Sequence, residues 1–203
     1  MTMRSMIQLI ALCLAFLSVA SSGEAKRSKA PAESFVAPSD KALLVFVRTS
    51  KMGKAVKFSV VDDKLRGLAR LKGNQHAVAT VEPGKHKIYV SAENTDPIQV
   101  EVGAGRTYII LTRVRMGFGK ARVTATPIQR NHPDFADSVK WVRDTSPSTM
   151  MEGLQDWVEA NKPSLQGRIG KADSAWAEQS DEWRAQHSMS AEDGRTAEEA
   201  GKI

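Results

Sequence analysis

The stretch VEPGKHKIYVSAENTDPIQVEVGAGRTYIIL, residues 81–111, decides the fold class. Glu82-Pro83-Gly84-Lys85 places Pro second and Gly third, the order a type II turn requires, because Pro presets φ and Gly tolerates positive φ. Beyond it Ile88, Val90 and Ala92 alternate with Tyr89, Ser91 and Glu93. After a break at residues 94–97, Ile98, Val100 and Val102 alternate with Gln99 and Glu101, and Gly103-Ala104-Gly105 turns the chain into residues 108–111. An apolar period of two between punctuated turns predicts antiparallel strands with one buried face.

The same pattern extends on both sides. Residues 42–48, Ala-Leu-Leu-Val-Phe-Val-Arg, are apolar on both alternating faces and predict a central strand covered on each side. Strands follow at residues 56–61, 65–71 and 77–81, with turns at Asp62-Asp63-Lys64 and Lys72-Gly73-Asn74. Residues 106–116 and 120–128 close the set as a hairpin. About eight short strands at roughly ten-residue spacing, with no helix between them, predict a mainly β protein: an antiparallel β-sandwich, with a small barrel as the nearest competitor.

The opening strand, the Val-Glu-Pro-Gly-Lys-His-Lys-Ile-Tyr-Val segment and the Val-Gly-Ala-Gly-Arg-Thr-Tyr-Ile-Ile segment occur in an order that resembles a group of bacterial envelope domains of unknown function. Those domains are often lipoproteins, and are akin to PEGA and carboxypeptidase-regulatory-like β-sandwich modules. The resemblance covers residues 41–130. It implies a fold and an envelope location, and brings no catalytic residues.

The ends of the chain divide it further. Arg4 precedes an apolar run over residues 6–19, followed by small residues up to Ala25. A charged start, a short apolar core and small-residue cleavage sites predict a signal peptide over residues 1–25, since the run is shorter than the ~20 residues of a spanning helix. Cys13, the one cysteine, lies inside that run behind Leu12 rather than after a small residue, which argues against a lipid anchor. The processed chain is then cysteine-free, exported to the periplasm or beyond, and has no thiol or disulfide chemistry. Residues 26–40, rich in Ala, Ser and Pro, predict a flexible linker ahead of a β domain at 41–130.

Residues 131–187 predict an acidic helical extension. Pro133 suits a first helical turn ahead of Phe135, Val139 and Val142, and Thr149-Met150-Met151-Glu152 has capping-box spacing ahead of Leu154 and Val158. Pro163 opens a third helix carrying Leu165, Ile169, Ala172, Trp176 and Trp183 at three-four spacing. Residues 188–203 are polar without a period and predict a disordered tail.

The net charge is +6, with 41% hydrophobic residues, but the charge is segregated. Residues 35–130 hold 17 Lys and Arg against 7 Asp and Glu, whereas residues 131–203 hold 8 against 14. A four-residue loop Met116-Gly117-Phe118-Gly119 in the last hairpin opposes Arg115 to Lys120 and Arg113 to Arg122. That register puts Thr112, Val114, Ala121 and Val123 on the buried side, and gathers Arg113, Arg115, Lys120 and Arg122 on the other with Phe118 at the tip. These five residues are the candidate site. Solvent can screen such a cluster; an anionic membrane or envelope polymer, another protein, or the acidic helices of the same chain can also neutralise it.

Chemistry beyond binding finds no purchase. His76, His86, His132 and His187 lack metal-ligand spacing, and Asp62-Asp63 beside Lys64 and Arg66 has the composition of a turn. No G-x-S-x-G, H-E-x-x-H or phosphate-loop pattern occurs. A nucleic-acid surface would need aromatic residues interleaved with the cations, and Phe118 stands alone. The expectation is a non-enzymatic exported protein with no cofactor and no nucleic-acid partner, acting through binding.

Overall fold

All seven residues of β1 (Ala42–Arg48) are buried, as expected of a strand apolar on both faces. The computed structural model describes residues 34–203 apart from 51–52 and 117–120. The expected signal peptide and the first part of the expected linker lie outside the described residues. Residues 33–203 form one compact unit, with no break at 130.

The strands after β1 are β2 (Phe58–Asp62), β3 (Gly67–Leu71), β4 (Gln75–Val81), β5 (Gly84–Ser91), β6 (Thr95–Val102), β7 (Thr107–Met116) and β8 (Ala121–Pro127). Two-residue strands β9 (Ser146–Pro147) and β10 (Ser188–Met189) come from the C-terminal region. Sheet A has the order β8-β7-β1-β4-β9, and sheet B the order β10-β6-β5-β2-β3.

The sheets are mixed, which corrects the expectation of a purely antiparallel arrangement. β1 pairs with β4 antiparallel but with β7 parallel, Val45 facing Ile109. β9 lies parallel to β4, and β10 parallel to β6. Alternation in a sequence reports which face of a strand is buried. It is silent on the direction of the neighbour. Parallel pairing arises here because the chain changes sheets between β1 and β2, β3 and β4, β4 and β5, and β6 and β7. The turn at residues 82–84 therefore joins two sheets rather than two paired strands. Gly84 takes φ +125° there, a value L side chains rarely adopt.

One face of each sheet contributes to a shared core: Leu44, Phe46 and Ile110 from sheet A, and Phe58, Val60, Ile88, Val90 and Ile98 from sheet B. Both outer faces are covered as well. Leu43, Val45, Val47, Ile109 and Leu111 pack against Phe35, Ala37, Phe135, Val142 and Ile203. Residues 34–40, expected in the linker, thus end in packed structure. On sheet B, Val61 and Tyr89 lie under Leu154, Val158, Leu165 and Ala172.

The helices are α1 (Ser138–Arg143), α2 (Leu154–Ala160), α3 (Lys162–Ala177), α4 (Asp181–Gln186) and α5 (Ala197–Ala200). Pro163 opens α3 as expected, but α3 stops at Ala177 and Trp183 belongs to α4. The capping-box spacing at residues 149–152 is not used; α2 starts behind Gly153 at φ +67°.

Residues 188–203, expected to be disordered, are instead held in place. β10 pairs with β6, and Arg195 exchanges backbone hydrogen bonds with Thr107 at 2.8 and 3.0 Å. The Arg195 guanidinium is buried, lies 3.8 Å over the Phe135 ring, and donates to Ser138 Oγ at 2.9 Å and to the Phe135 carbonyl. Burial pulls its pKa down to about 10. Hydrogen bonds rather than an apolar stripe fix this segment, so hydrophobic periodicity cannot find it. Its legible signals were two capping boxes, Ser190 with Asp193 and Thr196 with Glu199.

Part of each sheet edge is covered. Asn94 acts as a strand partner for β8, donating to the Val123 carbonyl at 3.0 Å and accepting from its N–H at 2.6 Å, while Asp96 accepts from Ala125 N–H at 2.7 Å. β9 covers β4, and β10 covers β6. At β3, Gln155 accepts from Gly67 N–H and donates to the Leu65 carbonyl. Unpaired edges invite strand addition from another chain, and these contacts narrow that route.

Candidate functional site

β7 outruns its neighbour. β1 and β7 pair only as far as Val47 with Leu111, whereas β7 and β8 continue to Met116 with Ala121. The hairpin therefore projects past the central strand as a two-stranded ribbon.

Its inner side is supported from below. Thr112 Oγ1 donates to the Val47 carbonyl at 3.1 Å, and Val114 packs at the margin of the shared core. The loop beneath is tied down by buried Arg48, which donates to the carbonyls of Val56 at 2.6 Å and Gly53 at 2.9 Å, with its guanidinium 4.3 Å over the Phe58 ring. Burial lowers the Arg48 pKa, but the carbonyl acceptors and the ring face keep the cation held.

The outer side carries Arg113, Arg115 and Arg122, all exposed. Val114 pairs with Val123, Arg113 with Thr124, and Arg115 with Arg122. This register is displaced by two residues from the expected one, since Arg115 faces Arg122 in place of Lys120. A displacement of two preserves sidedness, so the described arginines still share one face. Phe118 and Lys120 lie outside the described residues. Directly opposed Arg115 and Arg122 cost up to about 1 kcal/mol even when exposed.

Among the described residues none of these arginines forms an ion pair or a hydrogen bond. Three carboxylates of the C-terminal region pair with the body elsewhere: Asp173 with Lys87 at 2.5 Å, Glu199 with Arg130 at 3.0 Å, and Glu192 with Arg106 at 3.9 Å. Asp96 feels the charges of Arg115 and His187, yet burial still holds its carboxyl above the ordinary pKa. On the far side of the molecule, burial and the Asp173 carboxylate keep the Tyr89 hydroxyl well above its ordinary range.

Other polar residues singled out in the sequence are structural. Asp62 accepts from the N–H groups of Lys64 and Arg66 and from Arg66 Nε, which builds the β2–β3 turn. His76 meets Thr145 at 2.9 Å, His86 meets the Glu82 carbonyl at 2.7 Å, and His187 stacks on Trp183 at 3.6 Å. Among the described residues no cluster of three or more His, Cys, Asp or Glu could hold a metal ion, and no helix is long and apolar enough to cross a membrane.

The fold defines the chain as a mainly β protein of two mixed sheets with helical cover. Neither a scan against protein-family models nor a search of curated proteins gave a match that would narrow the class further.

Proposed function

We propose that the protein is a non-enzymatic, exported β-sandwich module of the bacterial envelope that binds an anionic membrane or envelope polymer. Arg113, Arg115 and Arg122 form the contact, together with Lys120 and Phe118 of the sequence expectation. The observation that carries this reading is the projecting ribbon whose three arginines have no carboxylate partner among the described residues. A chain that leaves like charges opposed on an exposed ribbon keeps them for an outside counter-charge. The resemblance to envelope modules and the signal-like N-terminal sequence support the location.

Each cation near an anionic surface contributes about 1 kcal/mol, so four give weak, salt-sensitive attachment unless an aromatic residue adds insertion energy. The test is co-sedimentation of the chain lacking residues 1–25 with vesicles of phosphatidylglycerol against phosphatidylcholine. Attachment to the anionic vesicles should fall at least about tenfold in Arg113→Glu/Arg122→Glu, and fall as salt rises through a Debye length of ~10 Å at 0.1 M. Equal attachment of variant and parent would sink the site.

A further inference from the structure

A second positively charged feature lies on the outer face of sheet B, away from the ribbon. Cross-strand pairing sets Arg70 on β3 beside Ser59 on β2, Ser59 beside Ser91 on β5, and Ser91 beside Thr95 on β6. The result is a straight row of one guanidinium and three hydroxyls across four strands. α2 and α3 roof one end of this row and leave a cleft of about 190 Å³, whose walls include Lys57, Ser59, Arg70, Ser91, Trp157 and Arg168.

Arg70 is the centre of it. Its guanidinium carbon lies 4.2 Å from the centroid of the Trp157 ring, and its buried Nε has no hydrogen-bond partner among the described residues. No carboxylate forms an ion pair with it there, and desolvation lowers its pKa. Ser59 is 4% exposed, and its hydroxyl makes no hydrogen bond among the described residues. Ser91 and Thr95 share a hydrogen bond at 3.0 Å, which leaves one of the two hydroxyls as a further donor. Arg168 is anchored through the Ala92 carbonyl. A buried guanidinium Nε without a hydrogen-bond partner is costly to keep unless something compensates it.

We propose that this cleft binds a phosphoryl group. Arg70, Lys57 and Arg168 set three positive charges against the one carboxylate on the cleft wall, exposed Glu93. The excess of two matches a phosphoryl dianion better than a carboxylate. The rigid guanidinium fork, fixed on Trp157, offers paired N–H donors in the spacing of two phosphoryl oxygens. Ser59 and Ser91, the two hydroxyls of the row on the cleft wall, supply donors for a third. The volume admits inorganic phosphate or a small phosphomonoester.

The test is calorimetric titration of the chain with inorganic phosphate and with glycerol 3-phosphate, against sodium chloride and acetate at matched ionic strength. Saturable heat with the phosphoryl probes alone is expected. Arg70→Gln should weaken it at least tenfold, Arg70→Lys less, and Ser59→Ala threefold or more, while Glu93→Gln should tighten it. Tighter binding of glycerol 3-phosphate would identify an esterified headgroup or sugar as the source, and tighter binding of inorganic phosphate the free ion; either supports the site. Because Arg70→Gln removes the Trp157 contact, its circular dichroism and melting curve are compared with those of the parent, and the Ser59→Ala variant stands in if it fails to fold. Heats no larger than those of chloride, or undiminished binding in folded Arg70→Gln and in Ser59→Ala, would overturn the proposal.

Discussion

Glu199 accepts from Arg130 at 3.0 Å and from the Thr196 N–H at 2.9 Å. Led by the Arg130 hydrogen bond, these contacts pull its pKa down to about 2 from an ordinary 4.5. A carboxyl whose folded pKa is depressed stabilises the fold fully above its unfolded value, and that share is lost as pH falls through the folded value. Glu199→Gln should therefore lower the melting temperature at pH 7 and narrow its difference from the parent between pH 4.5 and 2. The pair is partly exposed, so the effect is about 1 kcal/mol or less. A larger cost attaches to Gly194. A Cβ there would fall 2.5 Å from Cζ of Tyr108, whose hydroxyl is fixed by the Gly103 N–H and the Ala191 carbonyl. Gly194→Ala should cost about 1–3 kcal/mol by overpacking, read as a lowered midpoint in urea.

Among the elements, β1 was legible because seven apolar or amphipathic residues in a row leave no solvent face. The β5 and β6 strands were legible from their alternation, and the arginine face of β7 and β8 survived a displaced register because sidedness depends only on odd and even positions. The parallel partner of β1 was not legible, since it is set by how often the chain changes sheets. Nor was the phosphoryl cleft: Arg70 and Trp157 are distant in sequence, and only cross-strand register joins Arg70, Ser59 and Ser91. β10 is two residues long and was invisible to any period, yet it covers the β6 edge with Met189 5% exposed. Ending the chain after Gln186 should lower the melting temperature by several degrees and raise light scattering, because β6 then offers a free edge. An unchanged melt and clear solution would show that β10 is dispensable.

At the scale of the whole molecule, basic and acidic regions lie together in one compact unit. The helical region masks apolar faces: Phe135 and Val142 cover sheet A, and Leu154, Val158 and Leu165 cover sheet B. A fragment of residues 33–130 should consequently aggregate rather than present a cleaner basic surface, as size-exclusion chromatography would show. Ion pairs between the helical region and the body, such as Asp173 with Lys87, should weaken in high salt with little loss of stability, since the packing beneath them is apolar. The cover over β1 also has a consequence in time. Among the described strands β1 is synthesised first; β4 and then β7 come to flank it, and α1 and Ile203 close its outer face later. Until β4 has emerged the most apolar strand has no neighbour, and until α1 has emerged its outer face has no helical roof. A nascent polypeptide of this kind exposes an apolar strand and offers a target for a holding factor until its helical cover has been made.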